Sequence, residues 1–521
     1  MAKEFDDEEE IEQLRFSELI GTDYKGWKPG DSIILDGGTG SGKTYFCTKI
    51  LGRHASKNNK KILYLCNRTE LKRQIVSKIN KCGLVAQFTV CTYQLLQSLL
   101  IEGKKIPRFD YIIVDEAHYF TMDAFNKYTD LSWEFIRDDN KKSIIIYCSA
   151  TAKVFFDWLL DSKRVKKRNY YYIDKDYSYV KAVYFYHKND LSILLDRILT
   201  KRDEEKAIVF FKSSDRLIEV YNMFKRHATC FCSESTSNSS LRAIRSSKPI
   251  KDNTFDSRFL LTTSALDNGV DLLDKRIKFI FCELTDVDAI TQCLGRKRPI
   301  DSNDKCFFCI RKYDPRGLQG IYNAMSKKIS VGKEYMKDPE EFISKHIHDR
   351  NLYLKYNFFY QGDETIGQRP IMLNKMMLQY LMSQKKIIGS MKARGYEKVV
   401  TKWLGGDLEG KIKKVNLRKT EKDAIMAYLT ERQSKPIFKD QKIEIASRFK
   451  SLGYKMRSNS IHTLNGILKD EFPNYGLRFC DKDREGKTLR STRKKLREGS
   501  INPNHGKNYW ILTDDFENYT I

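Results

Sequence analysis

No apolar run in this 521-residue chain approaches the roughly 20 residues that a membrane-spanning helix needs, so no membrane anchor is expected. A signal sequence is missing too: residues 6–10 read DDEEE, an acidic stretch expected to be a solvated tail. Zinc spacing is incomplete. The 12 cysteines are scattered, and the single C-x-x-C, Cys306 and Cys309, sits in KCFFCIRK, which reads as a strand, with no second C-x-x-C to complete a zinc site. Buried thiols in a reducing cytoplasm are the expectation. Internal repeats are absent. Acidic charge is short: 68 Asp and Glu face 94 Lys and Arg, a formal charge of +26. Solubility does not ask for that much charge of one sign. It points to a polyanionic partner, nucleic acid being the commonest, with a generally lysine-rich composition as the plainer alternative.

What is present suits a folded protein of about three domains. The 41% hydrophobic content supports real cores, and 31% charged residues do not imply disorder. SIIL (32–35), KILYLC (61–66), FTVCT (88–92), YIIVD (111–115) and SIIIYCSA (143–150) are short apolar runs separated by helix-length stretches. Continuous apolar strands between helices predict a parallel sheet covered on both faces. Residues 164–180 break the rhythm and read as a connector. The alternation resumes with AVYFYH (182–187), AIVFF (207–211), RFLLTT (258–263), KFIFCEL (278–284) and KCFFCI (305–310). The fold class is therefore α/β, with two doubly wound parallel-sheet domains in tandem, over 1–165 and 175–320. A helical accessory region over 321–415 and a C-terminal domain over 420–521 follow.

DGGTGSGKT (36–44) comes directly after the first strand. Gly37, Gly38, Thr39, Gly40, Ser41 and Gly42, ending in Lys43 and Thr44, make a phosphate-loop pattern. Its glycines let backbone N–H groups turn inward around a phosphate, Lys43 reaches the terminal phosphates, and the Thr44 hydroxyl binds Mg²⁺. Such a loop needs an acid at the end of a nearby strand to hold Mg²⁺ through water. Asp115 is placed to do so, and Glu116 beside it to orient and deprotonate the attacking water. The chemistry expected is hydrolysis of a nucleotide's terminal phosphate.

Asp115-Glu116-Ala117-His118 spells DEAH, and across about residues 30–300 the chain resembles superfamily 2 helicases of the DEAD/DEAH-box kind. LCNRTELKRQ (65–74) resembles motif Ia, VCTYQLL (90–96) motif Ib, Ser149-Ala150-Thr151 motif III, AIVFFKSS (207–214) motif IV, LLTTSALDNGVDL (260–272) motif V and QCLGRKR (292–298) motif VI. The resemblance implies RecA-like domains with ATP between them. It implies that Gly269, Asp271, Gln292 and Arg296 close over the nucleotide, Arg296 as an arginine finger. It also implies that His118, Ser149 and Thr151 couple the nucleotide site to a nucleic-acid groove, with Arg68, Thr92 and Thr263 as candidate backbone-phosphate contacts. Motif VI commonly runs Q-x-x-G-R-x-x-R. Here Pro299 holds the second arginine's place and Arg298 comes one residue early. Either Arg298 serves through a shifted turn, or Arg296 works without that partner. No adenine-reading glutamine motif is evident upstream of Gly37, so ATP is inferred from the family's habit.

Residues 321–521 carry 40 Lys and Arg against 24 Asp and Glu. LNKMMLQYLMSQKKIIGSMKARG (373–395) has Met and Leu at helical spacing, expected to pack as core or onto the motor. After KIKKVNLRKT (411–420) come three helix candidates, then strand candidates GLRFCD (476–481) and KNYWILTD (507–514) around a basic stretch with Arg490, Arg493, Lys494, Lys495 and Arg497. Three helices followed by a hairpin with a basic loop is the order of a winged helix, whose third helix enters the major groove while the wing touches phosphates. A helical accessory domain with a solvated basic loop is the alternative. An ATP-dependent helicase or translocase on DNA is the leading expectation, with Arg493, Lys494 and Arg497 as phosphate contacts. An ATP-gated clamp or remodeller and an RNA helicase are the rivals. No RRM aromatic signature or RGG tail is evident.

Overall fold

A computed structural model describes residues 14–514, apart from 203, 234, 235, 237, 248, 264–270, 350, 365, 366, 414–416, 452–455, 457, 473–475, 484, 497 and 499. Two compact units emerge. One comprises residues up to Tyr184 together with Glu204–Lys413; the other comprises Phe185–Asp203 together with Lys414 onward.

The first unit holds two large sheets and a small antiparallel pair, Phe359–Gln361 with Ile371–Leu373. In the first lobe, strands β1 (Ser32–Gly37), β2 (Ile62–Cys66), β3 (Phe88–Thr92), β4 (Tyr111–Asp115), β5 (Ile144–Ser149) and β6 (Tyr170–Ile173) lie in the order β3-β2-β4-β5-β1-β6. Every pair is parallel. Strands β1, β2, β4 and β5 are buried along their whole length. Both faces are therefore covered, and two apolar clusters form: one around Leu65, Ile112, Val114 and Phe155, the other around Ile33, Leu35, Phe46 and Ile113. Strand β6 lies inside the stretch expected to be a connector. It is an edge strand of alternating exposure, which is why its sequence lacks the apolar run of its neighbours.

In the second lobe, β7 (Val180–Tyr186), β8 (Lys206–Phe210), β9 (Ala228–Phe231), β10 (Phe259–Thr262), β11 (Ile277–Cys282), β12 (Cys306–Arg311) and a later two-residue strand at Ile412–Lys413 form a seven-stranded sheet. Strands β8 to β12 pair in parallel, and Ile412 pairs in parallel with Val183 of β7. Both sheets are thus parallel and interleaved with helices: the chain has tandem RecA-like α/β lobes followed by a helical region.

That helical region includes Pro315–Lys337, Lys375–Arg394 and Tyr396–Leu404. The Met and Leu of the second helix divide their packing. Met376 joins the first lobe's core, while Met377, Leu378 and Leu381 join a separate cluster with Tyr335, Phe342 and Phe359. Among the described residues, no helix is long and apolar enough to cross a membrane.

In the second unit, helices Leu417–Glu431, Lys439–Ser451 and Ile461–Glu471 surround a core of Leu429, Phe449, Leu464, Leu468 and Leu512. An antiparallel pair, Arg478–Cys480 with Ile511–Thr513, closes it, and Ile437 bridges antiparallel to Trp510. Asn465 ties the third helix to this pair: its side chain accepts the Phe479 N–H at 2.7 Å and donates to the Phe479 carbonyl at 2.9 Å.

Candidate active site

Strand β1 ends at Gly37, and the chain turns into a helical run starting at Lys43. Gly40 and Gly42 have φ of 90° and 86°, left-handed values that favour glycine. Lys43 folds back over the turn: its Nζ donates to the Gly37 carbonyl at 2.6 Å and the Gly38 carbonyl at 2.9 Å. The Ser41 hydroxyl donates to the Gly38 carbonyl at 2.7 Å. Burial pulls the Lys43 ammonium below its ordinary pKa, against the opposing pull of Glu116 and Asp115.

Asp115 ends β4, with only β5 between that strand and β1. Its Oδ2 accepts the Tyr64 hydroxyl at 2.7 Å, and its Oδ1 accepts the Glu116 N–H at 3.0 Å. Burial first, and the Glu116 charge second, push its pKa up to about 6. The carboxylate is therefore poised to gain from a cation. Asp115 and the half-buried Thr44 are hard oxygen donors of the kind Mg²⁺ takes, so the donor chemistry fits that ion.

Glu116 has φ 52°, a left-handed value rare outside glycine. Its Oε2 lies 3.1 Å from His118 Nδ1. Burial opposes its ionisation, but the His118 contact and the charges of His118, Lys43 and Arg296 outweigh it and pull the pKa down to about 2. His118 Nδ1 also lies 3.2 Å from Ser149 Oγ and 3.5 Å from Thr151 Oγ1. Thr151 Oγ1 in turn accepts from Gln292 Nε2 at 2.9 Å. Gln292 stands on the second lobe's helix Val287–Gly295. A continuous polar chain thus runs from Glu116 through His118 and Thr151 into the other lobe.

The second lobe also reaches the loop directly. Arg298 Nε donates to Asp271 Oδ1 at 3.1 Å, and its Nη2 donates to Thr39 Oγ1 at 3.0 Å. Arg296 Nε donates to the Gln292 carbonyl at 3.3 Å, and its charge is felt at Glu116. Of the two arginines left open by the sequence, Arg298 is the one that touches the phosphate loop. A cavity of 620 Å³ opens between the lobes, lined by Gly38, Thr39, Glu116, Gln292, Arg296 and Arg298 among others.

The candidate nucleic-acid residues are dispersed. Arg68 lines this same cavity. The Thr92 hydroxyl caps the following helix, accepting the Leu95 N–H at 3.2 Å. Thr263 follows β10, and its carbonyl accepts the Thr262 hydroxyl at 3.0 Å. Arg493 and Lys494 are exposed in the loop between the second unit's paired strands. Gly269 and Arg497 lie outside the described residues.

Sequence reading missed two features around the site. Asp288, buried, accepts the Val154 N–H of the first lobe at 3.0 Å and the Trp403 indole N–H at 3.1 Å. Asp286 caps the same helix and accepts from Tyr380 and Gln384 of the helical region. The only sequence signal was an Asp at the start of a helix, which normally announces a cap and nothing more.

Residues 9–154 match a protein-family model described as "Type III restriction enzyme, res subunit". With the loop and acid pair inside that span, the chain is an ATP-hydrolysing enzyme of the helicase kind. Solved structures similar to it include S. cerevisiae Dbp5 bound to RNA and ADP BeF3, at 15% identity, covering 57% of this chain and 82% of that one, with a TM-score of 0.37. A leucine-to-valine variant of Dbp5 in the same complex gives 15%, the same coverages and 0.38. No curated protein sequence matches.

Proposed function

We propose that this protein is an ATP-dependent, DEAH-type helicase or translocase acting on nucleic acid, DNA in preference to RNA. The observation that carries this reading is the two-lobed site: the first lobe's loop and Glu116 line one cavity with Gln292, Arg296 and Arg298 of the second. A phosphate-cleaving site made by two lobes opens and closes with each turnover, and that motion is what a motor needs. Lys43 and the loop N–H groups bind the polyphosphate. Thr44 and Asp115 hold Mg²⁺, which neutralises developing phosphate charge when bound. Glu116 accepts a proton from the attacking water, held in place by His118. Arg296 and Arg298 stabilise charge on the transferred phosphoryl group.

The preference for DNA is supported by the second unit. Its order of helix, single bridge, two helices, strand, basic loop and strand is that of a winged helix, with the third helix Ile461–Glu471 as the reading element. The +26 charge favours a polyanion of either kind. ATPase rates of the full chain with single-stranded DNA, duplex DNA and RNA test the assignment. Stimulation by DNA well above that by RNA is expected; stimulation by RNA alone overturns the DNA preference. A strand-displacement assay separates a helicase from an ATP-gated clamp. Replacing Arg493, Lys494 and Arg497 together by Ala should leave basal turnover intact. It should flatten the plot of log affinity against log salt by about 0.9 per lost duplex contact.

The arginines make a sharper test. Arg296→Ala should bind ATP nearly normally and hydrolyse it far more slowly, because a finger acts on the transition state. Arg298→Ala should lose turnover to a similar degree, since Arg298 meets Thr39 of the loop. Normal turnover by Arg298→Ala would leave Arg296 as the sole finger.

A further inference from the structure

We propose that Lys175, on the segment joining the two lobes, is an additional nucleotide-phosphate ligand. The inference rests on the reading of the interlobe cavity as an ATP site and adds a residue outside every motif.

Strand register places Lys175 there. β6 pairs with β1 so that Tyr172 stands opposite Asp36 and Ile173 opposite Gly37. The chain leaving β6 must therefore emerge beside the phosphate loop, and Lys175, two residues on, arrives at Gly38. A Cβ built on Gly38 would lie 3.8 Å from Lys175 Cγ and 3.9 Å from its Cα. Lys175 lines the same cavity as Arg296 and Arg298.

Lys43 of the loop and the cavity-lining Arg296 and Arg298 each carry protein hydrogen bonds. Lys43 is bonded to Gly37 and Gly38, Arg298 to Asp271 and Thr39, and Arg296 to the Gln292 carbonyl. The Lys175 ammonium makes no hydrogen bond or ion pair among the described residues. It is half-buried, with Asp174 and Asp176 beside it in the cavity lining, and two buried acids that sense its charge, Asp36 and Asp288, are bonded to Tyr170 in one case and to Val154 and Trp403 in the other. A cation on a flexible stem, next to a phosphate loop and without a partner, is matched to a phosphate oxygen.

The backbone around it is braced. Lys411 Nζ donates to the Tyr177 carbonyl at 2.8 Å. A Cβ on Gly406, whose φ is +60°, would sit 3.1 Å from the Lys175 carbonyl and 3.0 Å from the Tyr177 ring. The turn after helix Tyr396–Leu404 thus packs closely against the backbone of the linker. Lys175 would meet phosphate from the segment that joins the lobes.

The test is equilibrium binding of a fluorescent ATP analogue to the full chain carrying Lys175→Ala, Lys175→Gln or Lys175→Arg, with Lys43→Ala as reference. A charge-assisted hydrogen bond lost at this site corresponds to about a tenfold weakening. Lys175→Ala and Lys175→Gln should both show it, Lys175→Arg should restore affinity, and melting temperatures without nucleotide should match wild type. Unchanged affinity in Lys175→Gln overturns the proposal, whether Lys175→Ala is normal or weakened, because only the stem would then matter. The two readings fail differently. A wild type that does not bind ATP defeats the ATP site as a whole. A wild type that binds, with Lys43→Ala impaired and Lys175→Gln normal, defeats Lys175 alone.

Discussion

Lys43→Ala should abolish ATP turnover, lowering it at least about a hundredfold, the scale on which single preorganised electrostatic groups contribute to catalysis. Two losses add. The ammonium proposed to meet the terminal phosphates disappears, and so do the hydrogen bonds by which Lys43 ties the Gly37 and Gly38 carbonyls. The loop then keeps only the Ser41 hydroxyl bond to Gly38 as an internal side-chain tie. The fold should tolerate the change. Lys43 bears a desolvation penalty, shown by its lowered pKa, so removing it relieves that cost as well as forfeiting its contacts. The melting temperature without nucleotide should therefore move little while the steady-state rate collapses. Substantial turnover by a well-folded Lys43→Ala would mean that this loop is not the phosphate site.

The parts of the site legible in the sequence were those whose chemistry depends on neighbours in the chain. Gly40, Gly42, Lys43 and Thr44 act together because a turn of left-handed glycines puts them together. Asp115 and Glu116 were readable because a buried strand ends there. Glu116's left-handed φ, which aims its carboxylate at His118, had no sequence signature. What depends on contacts between distant segments stayed hidden. Arg298 and Thr39 are 259 residues apart, and only the folded lobes decide that Arg298, rather than a residue at Pro299, reaches the loop. Strand β6 escaped for another reason. An edge strand has one solvated side, so Tyr170 and Tyr172 alternate with buried Tyr171 and Ile173, and the lysines and arginines just before them look like a loop. Missing that strand hid Lys175, whose place follows entirely from β6 pairing with β1. The charge excess pointed at a polyanion but could not name it, since phosphate is common to DNA and RNA.

Glu116→Gln should give the second large effect, and one of a different kind from Lys43→Ala. The amide keeps the size of the side chain and its place in the left-handed turn but cannot take a proton from water. General-base catalysis is worth roughly 10²–10⁴ in rate, so hydrolysis should fall by about that factor. ATP binding should survive, because Lys43, Thr44 and Asp115 are untouched. The bound triphosphate then keeps Arg296 and Arg298 engaged, and the polar chain through Thr151 to Gln292 has no hydrolysis event to break it. The lobes should stay closed, so nucleic acid should dissociate from this variant more slowly in ATP than from wild type during turnover. Asp115→Ala provides the contrast: without the acid that meets the cation, nucleotide affinity itself should drop and no ATP-dependent retention should appear. Dissociation of a labelled oligonucleotide, chased with and without ATP, distinguishes them. If Glu116→Gln releases the oligonucleotide as fast as wild type in ATP, the water is activated by some other group and the contact between Glu116 and His118 serves only to shape the turn.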